Sequence, residues 1–419
     1  MTRSQWNSLL FWVAAILIIV LVTIFYRPAA AKTGSLLIWL NDKIYVMDID
    51  SLNLQRVGSA LPGEPMVPSP GCTGQAESPC WVTAGQNLYP VDLPGQGFNR
   101  PAAVLPVGEG YTWLAEAAMS WSPDGRWLAY SVFSLADNQA ELRLYNPSSG
   151  EMKALASGVD PKITPAWRAG CTAGLNSPDC ELAYKTRPVN IGVKEVAPAV
   201  ATLNLATGQR RKWPLAAEPI FELRWNVAGQ LLYSQPKRHF RHVVDGRRAY
   251  SIPAASQLAN MSPDGQYTVY YQPFTLADCP AADEAENCMH VGVWLTEENG
   301  GSANPRLIYS SNLTEPHARG LNFVPVWSPF GNGFVFFQDG QLIYYDLRQQ
   351  EAVIWYKSLA GKLRSEPVFS PNEEAVAFVD DQGQGYSEYR LLVINPRLQP
   401  LEHIIDTKSG FRVLAWLPN

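Results

Sequence analysis

Positive charge is scarce in this chain. Its 419 residues carry 33 Lys and Arg against 38 Asp and Glu, a formal net charge of −5. A nucleic-acid partner ordinarily leaves a strongly basic footprint, so that class of function is set aside. Catalytic signatures are missing as well. There is no Gly-x-Ser-x-Gly nucleophile elbow and no His-Glu-x-x-His zinc pair. The five histidines stand at 239, 242, 290, 317 and 403, and only the first two are close in sequence. No Asp-x-Asp-x-Asp-Gly calcium loop occurs. The acidic stretch with Asp278, Asp283, Glu284 and Glu286, and the pair Asp48 and Asp50, therefore read as solvated or turn-forming carboxylates. No metal and no cofactor are expected.

Long apolar runs are limited to one. Leu9 to Tyr26 is 18 residues without a charge. As a helix it spans about 27 Å, enough for a bilayer core. It is longer than the apolar region of a secretory signal. It is read as a signal anchor (9–26) after a short cytoplasmic N-terminus (1–8). The other reading is a cleaved signal peptide, for which Ala29-Ala30-Ala31 offers a small-residue site. Arg27 to Gly34 forms the linker (27–34), and everything after it (35–419) reads as one domain. Basic residues flank the run almost equally, Arg3 before it and Arg27 and Lys32 after it, so the charge rule alone does not orient it.

What the chain has in abundance is repetition. Trp121-Ser122-Pro123-Asp124-Gly125-Arg126-Trp127-Leu128-Ala129-Tyr130 returns as Met261-Ser262-Pro263-Asp264-Gly265-Gln266-Tyr267-Thr268-Val269-Tyr270. Weaker copies begin at Trp327-Ser328-Pro329-Phe330-Gly331 and Phe369-Ser370-Pro371-Asn372. Proline presets the turn and glycine closes it, so each copy joins two strands. A third alternating strand follows, as in Glu141 to Tyr145, then a turn and a short fourth strand. Four antiparallel strands in a unit of roughly 40–50 residues make a propeller blade. Further openings at Ser69, Trp167, Trp225 and Trp416 bring the count to eight blades, with seven or six as alternatives. Phe411 to Asn419 reads as a first strand lacking successors, and Leu36 to Trp39 as a second strand lacking a predecessor. Pairing the two would shut the ring and remove the sheet edges. Tryptophans recurring at 121, 167, 225, 327 and 416 read as packing between blades, because their spacing follows the repeat.

The 121–130 stretch, with Leu142-Arg143-Leu144-Tyr145 and Ser149-Gly150-Glu151 after it, resembles the TolB-type, WD-like β-propeller repeat. The resemblance covers most of 35–419. It implies the fold and leaves function open, because relatives serve as scaffolds, ligand binders and peptidase specificity domains.

Six cysteines fall into three local pairs: Cys72 with Cys80, Cys171 with Cys180, and Cys279 with Cys288. Zinc wants closer spacing and histidine support. Disulfides pinning inserted loops are the reading taken, and they place the propeller in an oxidising, extracytoplasmic space, periplasm or cell exterior. The densest cationic stretch is Lys237, Arg238, His239, Arg241 and His242, followed by Arg247 and Arg248, with Arg210-Arg211-Lys212 near in sequence. It is the candidate binding patch, for anionic headgroups or an acidic partner. The expected function is a membrane-anchored, non-enzymatic scaffold or assembly factor that binds a membrane- or envelope-associated protein. The alternatives are a ligand or carbohydrate binder using the central channel, and a hydrolase or lyase at its mouth.

Overall fold

The computed structural model describes residues 34–91, 101–187, 189–191, 194–196, 198–214, 220–226, 228–234, 240–244, 257–275, 289–297, 305–314, 324–358, 365–381, 388–395, 401–406 and 410–417. Among them the chain is an all-β propeller of antiparallel sheets. The expected membrane span at 9–26 lies outside the described residues, with its flanks. Among the described residues no helix is long and apolar enough to cross a membrane.

The Ser-Pro-Asp-Gly turn explains itself in atoms. The Ser122 hydroxyl, wholly buried, accepts from the Trp127 amide at 2.9 Å and meets the Asp124 carboxylate at 2.5 Å. Asp124 in turn accepts from the Arg126 amide at 3.1 Å. Gly125 takes the left-handed conformation (φ 68°) that closes the hairpin. Ser262, Asp264 and Gly265 repeat this bond for bond, the Tyr267 amide reaching Ser262 Oγ at 2.9 Å. Degraded copies keep the function with other atoms. Asn226 replaces the serine and accepts from the Gln230 amide at 2.8 Å. Glu373 holds the left-handed position (φ 61°) in the turn after Ser370.

Ring closure is as the chain ends implied. Phe411–Leu417 pairs antiparallel with Ser35–Leu40, Ser35 opposite Leu417 and Leu40 opposite Phe411. Lys43–Asp48 and Leu54–Ser59 complete that sheet. The C-terminal strand is therefore the inner strand of the first sheet, and the two chain ends are hydrogen-bonded together.

The count of eight separate four-stranded blades needs correction. Among the described residues six sheets have four or more strands: five of four, and one of nine. The nine-stranded sheet arises because Val159, at the end of Met152–Val159, bridges to Thr186. That bridge joins the 120–159 unit to the 166–214 unit, and Tyr111–Trp113 adds one more strand beside Leu128–Ser134. Among the described residues the 222–242 unit shows three strands, Glu222–Trp225, Leu231–Ser234 and Phe240–His242. A separate two-stranded hairpin, Val189–Ile191 with Lys194–Val196, is inserted within the 166–214 unit.

Side chains alternate between the two faces of each sheet, so one strand feeds two cores. In the 120–159 unit, Leu128, Tyr130 and Val132 face the preceding unit while Leu142, Leu144 and Ala129 face the following one. The hydrophobic core is thus divided into clusters lying in the seams between successive units. The recurrent tryptophans fasten these seams. Trp121 Nε1 donates to Val67 O at 3.1 Å, Trp167 to Ser120 O at 3.3 Å, Trp225 to Ala166 O at 3.1 Å and Trp327 to Asn260 O at 3.2 Å. Each indole packs in a seam, Trp121 and Trp327 buried and Trp167 and Trp225 partly so, and satisfies its one polar atom on the inner strand of the unit before.

Candidate functional site

Two of the three expected disulfides are formed, Cys72–Cys80 and Cys171–Cys180, each with Cα atoms 4.3 Å apart. Cys279 and Cys288 lie outside the described residues. Both formed bridges pin the connection between first and second strands. Each connection opens with a short 3₁₀ turn, Pro70–Thr73 or Ala169–Ala173. The glycine before each first cysteine is required by space: a Cβ on Gly71 would collide with the Ser78 carbonyl, and one on Gly170 with the Asp179 carbonyl. The bridges fit an oxidising, extracytoplasmic compartment.

Several connections between first and second strands touch those of the neighbouring unit. Gly125 packs against Ser78 of the disulfide loop before it. Gly229 lies under the Arg168 guanidinium of the preceding unit, where any Cβ would crowd Nη2 at 2.6 Å. Glu373 accepts from the Phe330 amide at 2.5 Å and from Asn332 Nδ2 at 2.7 Å.

Between the 166–214 and 222–244 units lies a groove of about 600 Å³. One wall is the disulfide loop with Pro178, Asp179 and Glu181, backed by Asn204, Thr207 and Gln209. Asn204 ties these together, donating to Pro178 O at 2.6 Å and accepting from the Thr207 amide at 2.9 Å. The outer strand Arg210–Pro214 supplies Arg211 and Trp213. Its alternation decides which residues enter: Arg210 turns away and donates to Leu155 O of the previous unit, so Lys212 faces that way too. The opposite wall is Trp225, Gly229, Gln230 and Leu231, with His242, Val243 and Val244 beyond.

The electrostatics are asymmetric. Arg168 lies over the Trp225 ring at 5.4 Å and reaches Glu181 at 3.4 Å, so its charge is partly matched. Arg211 is exposed and, among the described residues, makes no ion pair. Among the described residues the Arg210–Pro214 strand pairs with Ala199–Asn204 on one side and ends its sheet on the other, with a free main-chain edge beside the groove. A guanidinium, two indoles and a free strand edge can take an extended ligand with a negative group. Among the described residues no group of three metal-ligating side chains gathers.

Of the expected patch, Lys237, Arg238, His239, Arg247 and Arg248 lie outside the described residues. Arg241 and His242 end the third strand of their unit, and His242 lines the groove together with Arg211 of the neighbouring unit. Arg168 and Trp213 were not singled out from sequence. The alternation Arg211-Lys212-Trp213 on an outermost strand is the signal that marks them. Asp48 is accounted for by its turn. Its carboxylate accepts from the Ser51 hydroxyl and amide, both at 2.7 Å, and these bonds hold it below the usual carboxylate range.

No family model and no curated protein matches this chain. Solved structures of similar shape include a eukaryotic initiation factor at 11% identity, covering 92% of this chain and 100% of that one with a TM-score of 0.49. They also include an oligogalacturonate lyase from Vibrio parahaemolyticus, at 11% identity, 86% and 98% coverage and a TM-score of 0.46. TolB from Acinetobacter baumannii follows at 11% identity, 89% and 79% coverage and a TM-score of 0.34. TolB proteins stand among these neighbours. No site residue transfers at such identity.

Proposed function

We propose that this chain is an extracytoplasmic scaffold that binds another protein through the groove between its 166–214 and 222–244 units. The observation that carries the reading is the groove's composition. Trp and Arg are the residues that dominate protein-binding energy when they line a preformed depression. Here Trp213, Trp225, Arg168 and Arg211 line one, on a face braced by the Cys171–Cys180 bridge. The scaffold is non-enzymatic in this reading. A helix at 9–26 would tether it, and a linker of eight residues would keep it within about 28 Å of the membrane. Its partner is then itself a membrane or envelope protein.

In-cell crosslinking of the full-length protein, followed by purification in mild detergent, tests this. A stoichiometric partner that is lost in the Trp213→Ala variant is the expected result. Recovery of the protein alone from wild-type cells would overturn it. A second reading is favoured by the size of the groove, which falls within the range of small-molecule pockets. In that case envelope or nutrient compounds would raise the thermal unfolding temperature, and Trp213→Ala would abolish the rise.

A further inference from the structure

We infer that the groove receives an extended acidic segment of the partner, laid along the free edge of the Arg210–Pro214 strand with a carboxylate against Arg211. The inference rests on the scaffold reading and names the chemistry of what that scaffold holds. Three observations converge on it.

The first is the strand edge. Among the described residues Arg210–Pro214 is the outermost strand of its sheet, paired with Ala199–Asn204 and with no strand on its other side. Main-chain donors and acceptors at strand spacing match another polypeptide, and this is how β-strand addition captures peptides. A saccharide offers no such repeat, which is why a peptide is favoured over an acidic sugar.

The second is charge. The chain as a whole is acidic, with a net charge of −5. Yet the groove wall presents Arg211 exposed and without an ion pair among the described residues, while the Arg168–Glu181 pair is internally matched. On the edge strand itself the charge facing a ligand is therefore positive, while the exposed Asp179 of the disulfide loop, likewise without an ion pair among the described residues, is the groove's unmatched carboxylate. A planar guanidinium engages a carboxylate through two parallel hydrogen bonds.

The third is alternation. Arg211 and Trp213 are two residues apart on one strand face, so they stand about 7 Å apart along the edge. An extended segment alternates with the same period. An acidic residue over Arg211 then places the residue two further on over the Trp213 ring, where an aromatic or aliphatic side chain packs against indole. Lys212, between them, points to the opposite face with Arg210, whose guanidinium is bonded to Leu155 O.

Selection from a random-peptide display library on the full-length protein in mild detergent tests this. The expected outcome is enrichment of peptides in which Asp or Glu precedes an aromatic or aliphatic residue by two. Arg211→Glu should weaken them by about tenfold to hundredfold, the value of a charge-assisted hydrogen bond. Replacing the acidic residue of such a peptide by lysine should restore binding to the Arg211→Glu variant. Lys212→Glu makes the same charge change one residue away and should leave binding unaltered. Both positions are exposed, and equal thermal unfolding of the two variants would show that neither change disturbs the fold. No enrichment, enrichment without acidic residues, or peptides indifferent to Arg211→Glu would each overturn the inference. Binding of an acidic oligosaccharide that Arg211→Glu abolishes, with no peptide enriched, would overturn the peptide class while keeping the groove as a site. A partner crosslinked equally to wild type and to Arg211→Glu would leave the scaffold reading standing and remove this one.

Discussion

The seam before the 120–159 unit and the seam before the 257–314 unit are built from the same sequence repeat and packed in opposite ways. In the first, Trp121, Leu128, Tyr130 and Val132 meet Leu88, Leu105 and Met119 in one apolar cluster. Trp121 Nε1 bonds to Val67 O, and the Tyr130 hydroxyl donates to Pro106 O at 2.8 Å. In the second, Met261 stands where the tryptophan would be, and Thr268 where Leu128 was. Among the described residues its cluster is Leu232, Ala259, Met261 and Tyr270, with Trp294 against it.

The polar atoms of the second seam are left without partners. Thr268 Oγ1, Thr296 Oγ1, the Tyr270 hydroxyl, Trp294 Nε1 and Ser234 Oγ are all buried and make no hydrogen bond among the described residues. Alternation puts all five on this one seam, since Val269, Tyr271, Val293 and Leu295 face the other way. An unpaired buried group costs about 1–3 kcal/mol. A bond that reinforces the seam comes from the other direction, Arg224 Nη1 reaching Met261 O at 3.1 Å. A propeller therefore need not be uniformly firm: local opening concentrates where apolar contacts and satisfied polar groups are fewest. The acceptor groove sits one seam away from the loose one, on a seam that still has its tryptophan bolt.

The largest way to break the contrast is Trp121→Ala. It deletes a buried indole and its bond to Val67, and should cost about 3–5 kcal/mol. Met261→Ala at the equivalent position should cost less, because fewer apolar neighbours surround it. Chemical denaturation of both variants gives the comparison, and equal losses would mean that the two seams are equally firm. Next comes the Cys72–Cys80 bridge, whose loop supports Gly125 at the firm seam. Replacing both cysteines by serine should cost about 2–3 kcal/mol on the chain-entropy model. Hydrogen exchange should then rise in Leu128–Ser134 more than in Tyr267–Thr275.

Much of this was legible in the residues. The Ser-Pro-Asp-Gly turn and the alternating strand after it define a unit, and the apolar C-terminal strand calls for a partner among the first strands. Tryptophan spacing marked the bolts, although which carbonyl each would reach needs coordinates. The sheet count was not legible. A single bridge between Val159 and Thr186 joins two units, and nothing in those two residues announces it. The groove was half legible. Arg210-Arg211-Lys212 was visible as charge, but only the sheet shows Arg211 and Trp213 on one face and Arg210 on the other. The loose seam could have been seen by aligning the two best repeats, since Trp to Met and Leu to Thr are both losses of apolar contact.

The smallest effect discriminates most sharply between the seams. Tyr130→Phe removes a hydroxyl that is bonded and leaves Pro106 O with only the long 3.4 Å bond from Arg143 Nη1, so it should cost about 1 kcal/mol. Tyr270→Phe removes a hydroxyl with no partner and should be neutral or slightly stabilising, because the desolvated group disappears while its ring stays. Thr268→Val and Thr296→Val should act in the same direction. Alkali sharpens the test. Burial pushes both Tyr130 and Tyr270 up to about 12 from an ordinary value of 10. A raised pKa in the folded state gives stability that is complete below pH 10 and is lost as pH rises from 10 towards 12. Each Tyr→Phe variant should therefore show a shallower fall across that window. At neutral pH, however, only Tyr130→Phe should be less stable than wild type. A neutral-pH loss in Tyr270→Phe equal to that in Tyr130→Phe would show that its hydroxyl is satisfied and that the second seam is no looser than the first.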